Sequence, residues 1–200
     1  MELTERQIEI ADAGLRVLAQ HGFGAVSFRA VAGESGWSLG AVQKAFPNKD
    51  ELLAAMMHQM RVTAATAAFV DPGRPTLHRW LTNLLISLQP LDAVRRDTML
   101  RAIAFDHLAH HNARIARAIA ASDDVLRRNL ASLTRKAQQA GDVDPRLDAD
   151  ALARTFLALA EGMASQLLYD PTSADAAARY ADYAVARLLG MPLGETSAAP

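Results

Sequence analysis

Residues 27–46 read SFRAVAGESGWSLGAVQKAF, and their spacing decides the fold. Ser27 and Ser38 each precede a short helical pattern and are placed to cap it, with Val26/Val31 and Trp37/Val42 at the spacing of hydrophobic staples. Between the two patterns, Ala32 and Gly36 stand four apart and Val42 follows six residues after the glycine. A small residue is expected at Ala32, where two helices would cross closely. Gly36 suits a left-handed backbone in the turn between them. Val31, Trp37, Val42 and Phe46 would fill the space between these helices and the preceding one. The pattern predicts a helix-turn-helix, an arrangement whose second helix enters the DNA major groove with its N-terminal residues against base edges. An ordinary helical hairpin can also carry Ala-x-x-x-Gly, so the outer face matters more. There the second helix would present Ser38, Leu39, Gly40, Gln43 and Lys44. Gly40 and Ala41 would let a nucleic acid come close. Leucine, glycine and alanine at an exposed helix start are odd as a solvated surface and reasonable as a groove face.

Outward from this stretch the chain reads as helix throughout. Thr4 stands three residues before Gln7 as a capping box, with Leu3 and Ile8 as its staple. The helix it opens shows Ile8, Ala11, Leu15, Val17 and Leu18 and stops near His21-Gly22. After Phe28–Glu34 and Ser38–Phe46, Pro47 ends the third pattern. Asn48, three before Glu51, caps a fourth helix that carries Leu52, Leu53, Met56, Met57 and Met60 and is expected to reach Phe69. Helices this short do not persist alone, so the first three are expected to form one compact unit of about fifty residues. Asp71-Pro72-Gly73-Arg74-Pro75 is the clearest break. Beyond it, helical patterns run over 77–88, 92–109, 115–140, 150–169 and 173–189. The expected organisation is all-α, with about nine helices. Residues 1–48 are expected to form a three-helix DNA-binding domain, residues 49–190 a larger helical domain, and residues 191–200 a disordered tail.

Composition agrees. Of 200 residues, 41 are alanine and 26 leucine, against 16 valines and isoleucines together, a balance that favours helix over sheet. No cysteine is present, which excludes thiol nucleophiles and disulfides. No apolar run approaches a membrane span of ~18 residues. The start, MELTERQIEIADA, lacks the pattern of a secretory signal, so a cytoplasmic location is expected. The net charge of −1 excludes a globally basic nucleic-acid binder. Residues 1–49 hold Arg6, Arg16, Arg29, Lys44 and Lys49 against Glu2, Glu5, Glu9, Asp12 and Glu34, and so are neutral. A single copy should therefore bind DNA weakly, since neutralising phosphates supplies most non-specific affinity.

The stretch IADAGLRVLAQHGFGAVS followed by FRAVAGESGWSLGAVQKAFPNKDELLAAMM resembles the DNA-binding domain of the tetracycline-repressor (TetR) family of transcriptional regulators. The resemblance covers roughly residues 5–57. It rests on Gly-Phe before the second helix, Ser-x-Arg-x-Val-Ala within it, Gly-x-Ser-x-Gly at the turn, Phe46, and Lys49-x-x-Leu52. The C-terminal part matches loosely, by helix count and the Ala-Glu-Gly-Met-Ala stretch. The resemblance implies base or phosphate contacts from Ser38, Leu39, Gly40, Gln43 and Lys44, and phosphate contacts from Ser27, Arg29 and Lys49. It further implies a homodimer on a palindromic operator in double-stranded DNA, in most relatives as a repressor, released by a small-molecule effector. Three positions depart from the family pattern: Gln43 replaces a tyrosine, Ala45 a histidine or tyrosine, and Trp37 a small aliphatic residue. Gln43 could pair with adenine instead.

The helix over 150–169 is apolar on two adjacent faces and must be covered on more than one side. Leu152, Phe156, Leu159, Ala160, Met163 and Leu167, with Tyr180, Ala184 and Leu188 of the last helix, are the expected dimer interface; burial within one subunit is the alternative. The expected wall of an effector pocket is Trp80, Leu84, Met99, Ile103, Phe105, Phe156 and Met163, with Asn83, Thr98 and His107 as polar members. For any single one of these, plain core is the better reading. His107 and His111 have a spacing that can hold a metal, but with His110 they show no third ligand, so no metal and no cofactor is expected. A helical adaptor that has lost DNA binding is a competing reading. An all-α enzyme is another, though no phosphate loop, nucleophile elbow or paired Glu-x-x-His supports it.

Overall fold

The computed structural model describes residues 2–68 and 76–191, without the side chains of 62–68. The expected break at 71–75, the extension to Phe69 and the tail from 192 lie outside the described residues. Among them are nine α-helices: α1 (Glu5–His21), α2 (Phe28–Ser35), α3 (Leu39–Ala45), α4 (Lys49–Ala68), α5 (Leu77–Ser87), α6 (Ala93–Ala109), α7 (Ala113–Gln139), α8 (Ala149–Tyr169) and α9 (Ala174–Leu188). A 3₁₀ turn at Phe23–Ala25 joins α1 to α2, and no strand is present among the described residues. No described helix is long and apolar enough to cross a membrane.

The helices start where side chains satisfy their free N–H groups. The Thr4 hydroxyl accepts from Gln7 N, and the Gln7 side chain accepts from Thr4 N, completing the capping box. Ser27, Ser38 and Asn48 accept from Ala30, Ala41 and Glu51 N, as their positions predict. Two starts differ from expectation for the same reason. Asp92 caps α6 from outside by accepting from Arg95 N. Asn112 accepts from Arg114 and Ile115 N, so α7 begins two residues earlier than its apolar pattern.

By packing, the chain divides into two units. The first comprises residues 1–67 and 97–123. Its core joins Ile10, Val17 and Leu18 of α1 to Val31, Val42 and Phe46, to Leu52, Met56 and Met57 of α4, and to Phe105 and Ile115. α4 therefore completes the core that α1–α3 begin. The approach of α4 to α1 depends on Gly14, where a Cβ would lie 2.6 Å from Met56 Sδ. Phe105 meets Phe23 edge-on with ring centroids 4.9 Å apart. Arg114–Glu51 and Arg61–Asp123 ion pairs tie α7 to α4.

The second unit comprises residues 68–96 and 124–200. Leu81, Leu84 and Leu85 of α5, Leu130 of α7, Leu152, Ala153, Phe156 and Ala160 of α8, and Ala181 and Val185 of α9 form its core. The α7–α8 connection is closed by Gln138 Nε2, which donates to the carbonyls of Asp144 and Leu147. In the same loop, hydrogen bonds from Arg146 hold the Asp144 carboxyl down at about 2.

Candidate nucleic-acid interface

The turn forms as its residues require. Gly36 has φ 75° and ψ 0°, the left-handed conformation a non-glycine residue rarely takes, and its N–H closes α2 on Ala32 O. Ala32, Val31, Val42 and Phe46 are buried. α3 inserts a single buried side chain, Val42, into the core. Ala41 and Ala45 are half-buried beside it, and the outer face is open. Ser38, Leu39, Gly40, Gln43 and Lys44 are all exposed, as are Ser27, Arg29 and Lys49. Leu39 is among the exposed large apolar residues of the chain, at 37 %. A Cβ built on Gly40 would meet nothing within 4 Å. No packing inside the protein calls for glycine there, yet glycine costs a helix about 1 kcal/mol relative to alanine. The two cap hydroxyls accept through oxygen and keep their O–H free to donate outward.

Trp37 packs against the edge of this core and stays half-buried. Arg6 lies over its ring, 4.6 Å from the centroid. Trp37 Nε1 donates to Glu9 Oε2 at 3.1 Å. Arg6 Nη2 also donates to Ala41 O at 2.8 Å, and Gln7 Nε2 to Ala45 O at 3.1 Å. In the sequence Arg6 and Glu9 enter only as opposite charges of a neutral segment, which does not reveal this cluster. The only signal was Trp37 standing where a small aliphatic residue is usual.

The remaining site residues separate by unit. Leu84 and Phe156 are core of the second unit and Phe105 core of the first, each enclosed by neighbours of its own unit. Trp80, Met163, Thr98 and Met99 are half-buried, while Asn83, Ile103 and His107 are exposed. Two buried polar oxygens of the second unit were not foreseen: Thr82 Oγ1 and Gln89 Oε1 make no hydrogen bond. In the first unit, burial raises the Asp106 carboxyl above its ordinary value, against the pull of Arg61. His107 and His111 rings stand edge to face at 6.0 Å, and no cluster of three metal-ligating residues occurs among the described residues.

The expected interface also splits. Phe156 is fully enclosed, and Leu152 and Ala160 nearly so, leaving no surface for a partner; these three belong to the unit's own core. Leu159, Met163, Leu167, Ala184 and Leu188 remain half-exposed, and Tyr180 is 57 % exposed. Met163, Leu167, Tyr180 and Ala184 line one groove of about 390 Å³ between α8 and α9. Ala158, Gly162 and Ser165 of α8, with Tyr169 and Tyr183, are also exposed.

A short exposed helix after a left-handed glycine turn, backed by a longer helix, defines a helix-turn-helix DNA-binding regulator. Comparison with known proteins narrows the class. Residues 10–56 match the family model of bacterial regulatory proteins of the tetR family, and residues 77–190 match that of the BetI-type transcriptional repressor C-terminal domain. The chain belongs to the TetR family of transcriptional regulators. It is 27 % identical over 168 residues, 84 % of this chain and 80 % of the relative, to the HTH-type transcriptional regulator PksA of Bacillus subtilis. Its fold is similar to that of a TetR-family transcriptional regulator from Rhodococcus, with TM-score 0.81 and 22 % identity over 92 % of this chain and 98 % of the other. It is also similar to the multidrug binding protein EbrR complexed with proflavin, with TM-score 0.63 and 26 % identity over 92 % and 99 % of the two chains.

Proposed function

We propose that this regulator is a repressor that binds a palindromic operator as a homodimer and is released by a small-molecule effector. It acts in the cytoplasm and has no catalytic role. The observation that carries the reading is the open face Ser38-Leu39-Gly40 with Gln43 and Lys44, whose glycine has no intramolecular purpose. Ser38, Leu39, Gly40 and Gln43 meet base edges. Lys44, Arg29, Lys49 and the Ser27 hydroxyl meet phosphates, Lys49 at the start of α4 where free N–H groups add to its charge. Gln43 replaces a tyrosine phosphate anchor with a bidentate reader of adenine.

The neutral reading head supports the dimer, because two linked heads multiply weak contacts when half-sites lie about one turn, ~34 Å, apart. The groove at Met163, Leu167, Tyr180 and Ala184 is the surface that would pair with a second copy. An effector entering the second unit would find unpaired acceptors at Thr82 Oγ1 and Gln89 Oε1, where a hydrogen-bond donor gains most. Effector and operator are coupled if the effector prefers one of two arrangements of the heads.

The test is selection of duplexes from a randomised library by the full chain, followed by titration of the selected and a scrambled duplex at moderate salt. A selected inverted repeat, bound far more tightly than the scrambled duplex, is the expected result. Equal affinity for both would end the reading.

A further inference from the structure

We propose that Arg6, Gln7 and Trp37 are positioning residues for operator recognition: they set the angle at which α3 is presented without themselves touching DNA. The inference rests on α3 being the reading helix. α3 is seven residues long and anchors itself by one buried side chain, Val42. A helix of that length does not hold its own geometry. Two of its carbonyls instead receive donors from α1. Arg6 Nη2 donates to Ala41 O and Gln7 Nε2 to Ala45 O, so successive residues of α1 grip the first and last turns of α3. Upstream, Arg6 covers the Trp37 ring and Trp37 Nε1 is tied to Glu9. The turn, the start and the end of the reading segment are thus fastened to α1 over Arg6–Glu9.

All of these bonds come from α1 or the turn, and those to α3 reach its backbone. They constrain the helix without using the side chains it offers to bases. Arg6 is directed inward: its Nε is buried without a partner, and its Nη2 is committed to Ala41. It is therefore not a free phosphate ligand, although it stands in the same domain as three cations that are exposed, Arg29, Lys44 and Lys49. Reading a base edge needs placement to within about 0.5 Å, which is the accuracy such supporting contacts supply.

Two substitutions separate positioning from folding. Gln7→Glu retains the oxygen that accepts from Thr4 N, and so the capping box, but removes the donor to Ala45 O. Arg6→Lys retains the charge but loses the flat face over Trp37 and the fixed reach of Nη2. Each full-length variant is titrated with the duplex that the wild-type chain selects from a randomised library and with a scrambled duplex, over a range of salt and well below melting. The ratio of the two affinities is the readout, because the charge added by Gln7→Glu acts on both duplexes alike. The ratio is expected to fall by about tenfold in either variant. The salt slope of Arg6→Lys should stay that of wild type, and its Trp37 indole N–H resonance should shift. A ratio unchanged in both variants overturns the proposal, as does a slope reduced by about one in Arg6→Lys, which would make Arg6 a phosphate ligand. A purely structural role would lower the melting temperature and leave the ratio of the folded molecules unchanged. If the wild-type chain selects no duplex, the DNA-reading assignment of α3 fails as a whole; a wild-type consensus with unaltered variants sinks this inference alone.

Discussion

α3 and α8 are built on opposite terms. α3 runs for seven residues, buries one side chain and leaves its outer face bare. α8 runs for 21 residues and buries Ala149, Leu152, Ala153, Phe156, Ala160 and Ala164 inside its own unit. The stability of α8 comes from apolar area removed from water, about 25 cal/mol per Å². α3 has almost none of that and is held by side chains reaching from α1. A helix that must fit between phosphate backbones cannot also be covered by its own protein, so its support has to come from behind. A helix whose task is to hold a unit together can be covered from several sides.

The sharpest way to break this contrast is at the core of α8. Phe156→Ala should destabilise the second unit by about 3–5 kcal/mol in urea unfolding, since Phe156 is fully enclosed. A change below about 1 kcal/mol would mean that α8 does not depend on burial. At α3 the opposite separation is expected. Gly40→Glu should weaken the selected duplex about 100-fold in anisotropy titrations, by placing a carboxylate against the groove. Its melting temperature should hold or rise, because the site is empty and any side chain is a better helix former than glycine.

The half-covered side of α8 gives the next effect. Met163→Glu puts a charge in the α8–α9 groove and should yield a light-scattering mass near 21.5 kDa where the wild type gives twice that value. Lys49→Ala is expected to cost only a few-fold in affinity, equally for selected and scrambled duplexes, and to reduce the salt slope by about one.

The smallest effect is one of pH, in the first unit. Burial lowers the His58 pKa below its ordinary 6.5, so the unfolded chain takes up a proton more readily than the folded one. The stability tied to His58 is therefore complete above about pH 6.5 and is lost as pH falls through 6.5 toward the lower folded value. His58→Gln should remove that part of the acid-side fall in melting temperature. The difference should be under about 2 °C, because the ring is only half-buried and water screens part of the effect.

Legibility in the sequence followed the range of the interaction. The capping box and the serine and asparagine caps act over three residues, so Thr4, Ser27, Ser38 and Asn48 are legible directly. The left-handed turn at Gly36 is equally local. The outward face of α3 followed from those boundaries plus a 3.6-residue period. What could not be read joins residues far apart: Arg6 with Ala41, Trp37 with Glu9, Arg61 with Asp123, Arg114 with Glu51. Charges in a sequence look alike whether they face water or a carbonyl. The apolar stripes of α8 were visible too, yet periodicity could not say that Leu152, Phe156 and Ala160 turn inward while Met163 and Leu167 stay half-open.

The sequence by itself determined the all-helical fold, the cap and turn positions and the residues on the face of α3, because backbone capping and helical periodicity are set by near neighbours. Only the tertiary structure decided that α4, Phe105 and Ile115 complete the core of the first unit, which side of α8 is left open, and that α1 grips α3 through Arg6 and Gln7. Those outcomes depend on which distant surfaces meet, and burial and hydrogen-bond geometry exist only once the chain has folded.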